Sequence, residues 1–481
     1  MESRRVAVVD SYTPSQPLVT AFAAAGYRVV HVRSTPELPA VYAEPDKAVF
    51  VAEITHAGDF RRTVSAVAGH RPVAVVAGGE LGVALADALA AALRLPTGND
   101  VALSAARRDK HAMIERIGSR GLRRADQLRV EEAGPLRQWH ARRGGRVVVK
   151  PLSSSAGDGV AFCDTPEQSV AAFERLIGTT DVFGTRNSAV LAQEYLPGTE
   201  YIVNTVSRDG RHHVCDLWRT DRVHANGIPD LVVACRLLPR RGAVQDELVD
   251  YVERVLDALG VRHGPAHAEV RRTPGGPCLV EVGARLCGFG LPALARSAVG
   301  TSQVEWTVDA YVDPERFHAR AGLEYRVERH AAWAALVSRR AGVLRRYPHL
   351  DAVRGLASLH ALRVRVEPGD RLVPTVDDLT YPITLALLHE AEEVVSRDLD
   401  TLRRLDGPAF YEVADEEPAG GTAGGSTESA VSTGPAGSTG PAGSTGGTPD
   451  GTGRDTTGGA AGGSPDGSAG GEVAGPVLRS G

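Results

Sequence analysis

The apolar positions of this chain change their spacing along its length, and each spacing predicts a different kind of element. Over the first hundred or so residues, short apolar runs alternate with helix-like stretches. Residues 4–10 (RRVAVVD), 27–32 (YRVVHV), 48–51 and 73–76 read as strands, and a helix over 18–25 is closed by Gly26. Strands alternating with helices predict a parallel sheet and an α/β domain over 1–105. From Ser104 the spacing changes. A helix is predicted over 107–117, strands over 144–150, 190–193, 201–207 and 212–219, and a helix over 246–259 that carries Leu248, Val252, Val255, Leu256 and Leu259 on one face. Strands over 266–271 and 277–282 follow, joined by the turn TPGG, and read as an antiparallel hairpin. Residues 325–413 mix strands (AAWAALVS, ALRVRV) with a helix over 389–404, which predicts a small α+β domain. Beyond Glu417 the chain is Gly, Ser, Thr, Ala and Pro, with STGPAGSTGPAGSTGG repeating itself, and a disordered tail is predicted over 416–481.

Charge and cysteine content narrow the function classes. Lysine and arginine number 54 against 59 acidic residues, a formal net charge of −5, which argues against a nucleic-acid partner. The cysteines (Cys163, Cys215, Cys235, Cys278, Cys287) are scattered, and no pair has zinc or redox spacing, so a reduced, cytoplasmic protein is expected. The opening residues, MESRRVAVVD, lack the apolar core of a signal peptide. The longest apolar region, 73–95, is interrupted by Glu80, Asp87 and Arg94, so no membrane span is expected.

The candidate chemistry begins at VVVKPLSSSAGDGV, residues 147–160. A buried strand ends on Lys150, a proline stops it, and a hydroxyl- and glycine-rich loop follows. The order is wrong for a P-loop, in which the glycines precede the lysine, and there is no third glycine for a dinucleotide fingerprint. Lys150 must either reach out to solvent along its stem or meet an anion. In the predicted hairpin, Glu269 and Glu281 fall on adjacent antiparallel strands, where opposed side chains lie about 5 Å apart. A divalent cation holding phosphates would relieve their repulsion. The alternative is that both face solvent, against which stand the apolar neighbours Leu279, Val280 and Val282 of Glu281. In QEYLPGTEY, residues 193–201, Glu194 and Glu200 flank a proline-glycine break, which also fits a plain hairpin loop. Lys110, in RRDKHAM, also fits a solvated helix residue.

Taken in order, a helix lysine, a strand lysine with a Ser/Gly loop, a Glu-Tyr-Leu hinge, and a paired-glutamate hairpin ending in VEVGARLCGFG resemble the ATP-grasp superfamily. The resemblance runs from the first strand to Asp313 and implies a Rossmann-like N-terminal domain (1–105), a two-subdomain ATP-grasp fold (106–318) and a small C-terminal α+β domain (319–415). It implies that Lys110 and Lys150 contact ATP phosphates and that the loop carrying Ser153, Ser154, Ser155, Gly157 and Gly159 closes over them. Gln193, Glu194, Tyr195 and Leu196 would form the adenine hinge, and Glu200 would take the ribose hydroxyls. Glu269 and Glu281 would hold Mg²⁺, with Mn²⁺ as the alternative ion, and Arg285 would face the substrate carboxylate and the acyl phosphate. Many members read Glu-x-Asn-x-Arg where this chain reads Glu281-Val282-Gly283-Ala284-Arg285, so one amide ligand is missing. The stretch GPAHAEVRRTPGGPCLVEVGARLCG is most similar to the L-amino acid ligases, in which a small residue takes the Asn position and a histidine, here His267, lies near the active centre. The implied activity is an ATP- and Mg²⁺-dependent joining of a small-molecule carboxylate to an amine through an acyl phosphate, in an enzyme compatible with a homodimer. Two other readings stay open: an ATP-grasp enzyme with a thiol or carboxylation chemistry, and a non-catalytic nucleotide-binding module, which Gly283 favours.

Overall fold

The structure is a computed structural model that describes residues 4–12 and 15–414; the tail expected over 416–481 lies outside the described residues. The N-terminal region is a parallel sheet with strand order Phe50–Thr55, Arg28–Arg33, Arg5–Val9, Ala74–Ala77. Its central strand is apolar on both faces because both are covered, as a parallel sheet requires. Val6 and Val8 pack with Leu18 and Phe22 on one side. Ala7 and Val9 pack with Val67 and Leu89 on the other. Ligand sites in such sheets form where the strands end. Here Asp10 follows one strand, and the loop 78–81, with Glu80, follows its partner, in which Ala77 pairs with Val9.

A four-stranded antiparallel sheet, in the order Gln127–Val130, Val190–Glu194, Val147–Pro151, Ala161–Cys163, carries Lys150 and the Ser/Gly loop. The helices Ala133–Arg143 and Pro166–Leu176 cover it through Leu136 and Phe173. The helix expected over 107–117 starts at Lys110, because the Asp109 carboxylate caps it by accepting the Ala112 N–H at 2.8 Å.

The largest sheet has eight antiparallel strands, in the order Gly276–Gly283, Gly264–Thr273, Thr199–Arg208, Arg211–Ala225, Ile228–Leu237, His330–Leu336, Ile383–His389, Leu359–Val364. Helix Ala243–Ala258 buries Leu248, Val252, Val255 and Leu256 against it, the face expected from their spacing. Two features differ from the sequence reading. The strand expected over 212–219 runs on to Ala225, and Ile228–Leu237, which was not predicted, returns beside it. The turn between them is Asn226-Gly227, both at positive φ, the strongest short-range hairpin signal a sequence can carry. The three C-terminal strands also extend this same sheet, which brings the loop 373–380 back toward the centre of the molecule. Among the described residues, no helix is long and apolar enough to cross a membrane.

Candidate active site

Two cavities share a wall at the meeting point of the three sheets. The first, of about 200 Å³, is bordered by Lys110, Lys150, Ser154, Ser155, Gly157, Gln193, Glu194, Tyr195, Leu196 and Glu200, with Glu269 and Glu281 at one end. Apolar side chains, among them Val148, Phe162, Ile202 and Val232, complete it. The second, of about 750 Å³, takes in His267, Arg285, the N-terminal residues Tyr42 and Glu80, and the C-terminal residues Leu362 and Arg363. Ser155, Ala156, Glu269, Glu281, Phe289 and Asp378 border both. Of the candidate ligand-contacting residues named from the sequence, only Ser153 and Gly159 border neither. Gly159 has a packing reason to be glycine: a Cβ there would lie 2.7 Å from Leu176 and 3.0 Å from Pro151, at φ +69°.

The lysines meet the acids at the shared wall. The Lys110 ammonium donates to the Ser154 carbonyl and lies 3.0 Å from the Glu281 carboxylate. Lys150 is 5 % exposed, and burial together with the charge of Lys110 pushes its pKa down to about 8. Glu281, despite its burial, is held below the usual carboxylate range by Lys110 and Lys150. Glu269 and Glu281 are direct cross-strand partners in the hairpin, with a bulge immediately after Glu269. The predicted pairing therefore forms. Among the described residues there is no group of three or more His, Cys, Asp or Glu side chains poised for a metal, so the acidic site is this pair.

The hinge is held by ion pairs that the sequence did not reveal. Glu194 pairs with Arg143 at 2.7 Å. Glu200 is gripped by Arg222 and, at 3.1 Å, by Arg271, which also reaches Asp230 at 3.1 Å. The Tyr195 ring lies beneath the guanidinium groups of Arg146 and Arg271. Gln193 Nε2 is buried in this pocket with no protein partner.

His267 has an acceptor facing each of its ring nitrogens. Its Nδ1 faces Asn204 Oδ1 at 2.9 Å and its Nε2 faces Glu269 at 3.2 Å. The Asn204 amide is oriented by donating to Asp216 at 2.6 Å, so its oxygen is the atom left for the ring. An acceptor at each nitrogen favours the doubly protonated ring. Burial opposes that charge, but Cys287 and Glu269 raise the pKa to about 10.

Arg285 is tied to the N-terminal sheet. Its Nε donates to Glu80 at 2.8 Å, and Arg108 binds the other oxygen of Glu80 at 2.7 Å. Burial would raise the Glu80 pKa, yet the two arginines bring it down to about 2. This pair accounts for the departure at Gly283. A Cβ at that position would lie 3.1 Å from Glu80 and 3.2 Å from Arg285, so the space of an Asn side chain is taken by the ion pair. Glu80, Arg108, Arg222, Arg271 and Asp378 were all missed from the sequence.

The expected lid, residues 153–159, is braced internally and fastened to two neighbouring segments. Ser154 donates to Asp158 at 2.6 Å, and Asp158 accepts the Val182 N–H at 3.2 Å. The Asp378 N–H donates to the Ala156 carbonyl at 3.1 Å, which joins the lid to the C-terminal loop. The arrangement places cations and a carboxylate pair at the junction of a narrow, apolar-walled pocket and a wide cleft. Such a junction can pass a phosphoryl group from a molecule in one cavity to an acceptor in the other.

Comparison with known proteins bears on the family and the fold. Residues 145–293 match the family model described as an ATP-grasp domain. Dapdiamide A synthase of Enterobacter agglomerans is 30% identical over 412 residues, which cover 84% of this chain and 96% of that protein. The crystal structure of L-amino acid ligase from Bacillus licheniformis shares the fold with a TM-score of 0.67 at 17% identity, over 84% of this chain and 98% of that one. The biotin carboxylase domain of Hydrogenobacter thermophilus 2-oxoglutarate carboxylase, solved as a dimer with MgADP, ADP and bicarbonate, does so with a TM-score of 0.56 at 13% identity, over 86% of this chain and 91% of that one. The chain belongs to the ATP-grasp family and is an ATP-dependent carboxylate–amine ligase that forms a C–N bond with release of ADP and phosphate.

Proposed function

We propose that this ligase joins two amino acids, or an amino acid and a related small carboxylate, and that the two cavities divide the work: ATP in the narrow pocket, the carboxylate and amine in the cleft. The observation that carries this reading is the shared wall, where Glu269 and Glu281 border both cavities and Lys110 and Lys150 approach Glu281 from the narrow one. Adenine would lie between Val148, Tyr195 and Leu196. Lys110 and Lys150 would neutralise the phosphates. Glu269 and Glu281 fit Mg²⁺, an ion that takes one or two carboxylates and completes its shell with phosphate oxygens and water. Bound there, Mg²⁺ would supply charge neutralisation for the transferred phosphoryl group.

In this reading a substrate carboxylate oxygen attacks the terminal phosphorus and ADP leaves, giving an acyl phosphate. The amine then attacks the acyl carbon, the C–O bond to phosphate breaks, and the nitrogen gives up its proton. Arg285, fixed by Glu80, is placed to bind the negative charge that moves during both steps. The lid, joined to the C-terminal loop at Ala156, would keep water from the acyl phosphate. The five cysteines are free thiols, which supports a reducing compartment such as the cytoplasm.

The test is ADP release from ATP and Mg²⁺ with amino acids offered singly and in pairs. Release that depends on a second amino acid's amine is expected. Release supported equally by bicarbonate or by a thiol would sink the proposal. Lys150→Ala should weaken ATP binding on the order of tenfold to a hundredfold, the scale of a lost charge-assisted hydrogen bond, and calorimetry with MgATP reads it directly.

A further inference from the structure

Asp378 lies in the wall between the two cavities, and its charge is balanced by no ion pair among the described residues. The arginines around it are engaged elsewhere. Arg222 pairs with Glu200 and donates to the Asp230 carbonyl. Arg365 donates at 2.8 Å to the main-chain oxygen of Asp378, not to its carboxylate.

The loop does not need this carboxylate for its own shape. Asn226 donates to the carbonyls of Ser338 and Thr375, both at 2.8 Å, which fastens the start of the loop to the central sheet. The turn that follows is closed by the neighbouring Asp377, whose Oδ1 accepts the N–H groups of Leu379 and Thr380, both at 3.0 Å. Asp378 spends its main-chain N–H on the lid at Ala156, and its carboxylate neighbours the Tyr381 hydroxyl and feels the charge of Glu269. A carboxylate in this wall that feels the like charge of Glu269 is costly unless a cation meets it. A metal on the Glu269–Glu281 pair would answer for Glu269. It does not extend to Asp378, since no group of three or more such ligands exists among the described residues.

We propose that the Asp378 carboxylate receives the ammonium group of the amino acid whose carboxylate is activated, making Asp378 a specificity-determining residue delivered by the C-terminal loop to the junction of nucleotide pocket and cleft. This rests on the reading of the cleft as an amino-acid site. The choice between the two substrates follows from the reaction. The attacking nitrogen must present a lone pair, and an unpaired carboxylate beside it would hold it as ammonium. The amino group of the carboxylate donor takes no part in bond formation, and its charge is free to be used for recognition. Because the same loop bonds the lid, the donor's ammonium and the closed lid would be held by one element.

The experiment measures ADP release by wild type, Asp378→Asn and Asp378→Ser with a donor amino acid and with its des-amino analogue, at a fixed acceptor and across an acceptor titration. Wild type should prefer the amino acid. Both variants should lose tenfold or more in kcat/KM for the amino acid, the scale of a charge-assisted contact, and stay within about twofold for the analogue, so that the preference disappears. The acceptor KM and the affinity for MgATP should hold within about twofold. Equal losses on amino acid and analogue overturn the proposal, as does a change confined to the acceptor KM. A fall in melting temperature together with ATP affinity in both variants makes Asp378 a structural residue and overturns it too. An active wild type whose preference survives in the variants overturns this inference alone. A wild type that is inactive with every amino-acid pair overturns the amino-acid reading and this inference with it.

Discussion

Glu80 and Asp378 border the same cleft from opposite sides, one from the N-terminal sheet and one from the C-terminal loop, and their charges are handled in opposite ways. Both carboxylates are penalised first by burial. Glu80 has Arg285 and Arg108 on its two oxygens and is brought down to about 2. Asp378 has Glu269 as its strongest charged neighbour and is pushed up to about 7. Burial alone therefore does not decide what such a group does; the partner supplied by the rest of the fold decides it. Glu80 is a completed strut, which joins the parallel sheet to the arginine expected at the acyl phosphate. Asp378 is an incomplete one, and what completes it comes from outside the protein.

The comparison is broken most severely at Arg285, the working end of the Glu80 strut. Arg285→Ala should cost on the order of a hundredfold or more in turnover, as removal of one transition-state donor does, while ATP affinity stays within a few-fold. Amine-dependent ADP release and nucleotide calorimetry on one preparation give both numbers. If turnover were unchanged, the strut would be holding an arginine that does no chemistry.

A smaller loss is expected when the strut is weakened from its other end. Glu80→Gln leaves Arg285 in place but less firmly aimed, and a loss of about tenfold in turnover is expected, the low end of the range for a misplaced catalytic group. The same variant tests the charge. The folded value of Glu80, about 2, lies below the ordinary 4.5, so Glu80 contributes stability that is present above about 4.5 and is lost as pH falls toward 2. Melting temperature followed over that acid range should fall less steeply in Glu80→Gln than in wild type. Identical slopes would mean that Glu80 carries no net ionic stabilisation.

Gly283→Asn inserts the residue many relatives carry into the space of the same ion pair, where a Cβ already comes within 3.1 Å of Glu80. The expected result is a several-fold loss of turnover with little change in ATP affinity, because Arg285 would be displaced and the nucleotide pocket left intact. Turnover that rose, with a lower Mg²⁺ requirement, would show that the amide had found a metal-binding pose and that the strut is dispensable.

These two carboxylates also mark where the sequence stopped being readable. The hairpin glutamates were legible because cross-strand pairing in a tight hairpin is local: the turn sets the register, and the register brings Glu269 to Glu281. Lys150 was legible because a cation at the end of VVV demands an explanation within a few residues. Glu80 was seen only as a charge that interrupts an apolar run, since its partners lie 28 and 205 residues away. Asp378 depends on the C-terminal strands joining the central sheet, a long-range fact with no local signature. The strand Ile228–Leu237 is a different kind of miss, because Asn226-Gly227 and the apolar run after it were present in the sequence and were overlooked. Without that strand, Arg222 had no neighbour to define its face, and the pair it makes with Glu200 could not be anticipated.

The smallest effect sharpens the comparison by separating the loop from its charge. Asp377, next to Asp378, uses its carboxylate inward, on the Leu379 and Thr380 N–H groups and on the Thr380 hydroxyl at 2.8 Å. Asp377→Ala removes these local bonds and leaves Asp378 with its charge. The cost should be about 1 kcal/mol, the net worth of ordinary hydrogen bonds in a solvent-accessible turn, seen as a modest drop in melting temperature. Turnover should fall no more than a few-fold, because the loop remains fastened at Asn226 and Ala156. That fall should be the same for a donor amino acid and for its des-amino analogue, since no charge facing the cleft has changed. If Asp377→Ala instead erased the preference for the amino acid, loop shape and not the Asp378 carboxylate would be what the substrate reads, and the contrast with Glu80 would reduce to a difference in rigidity.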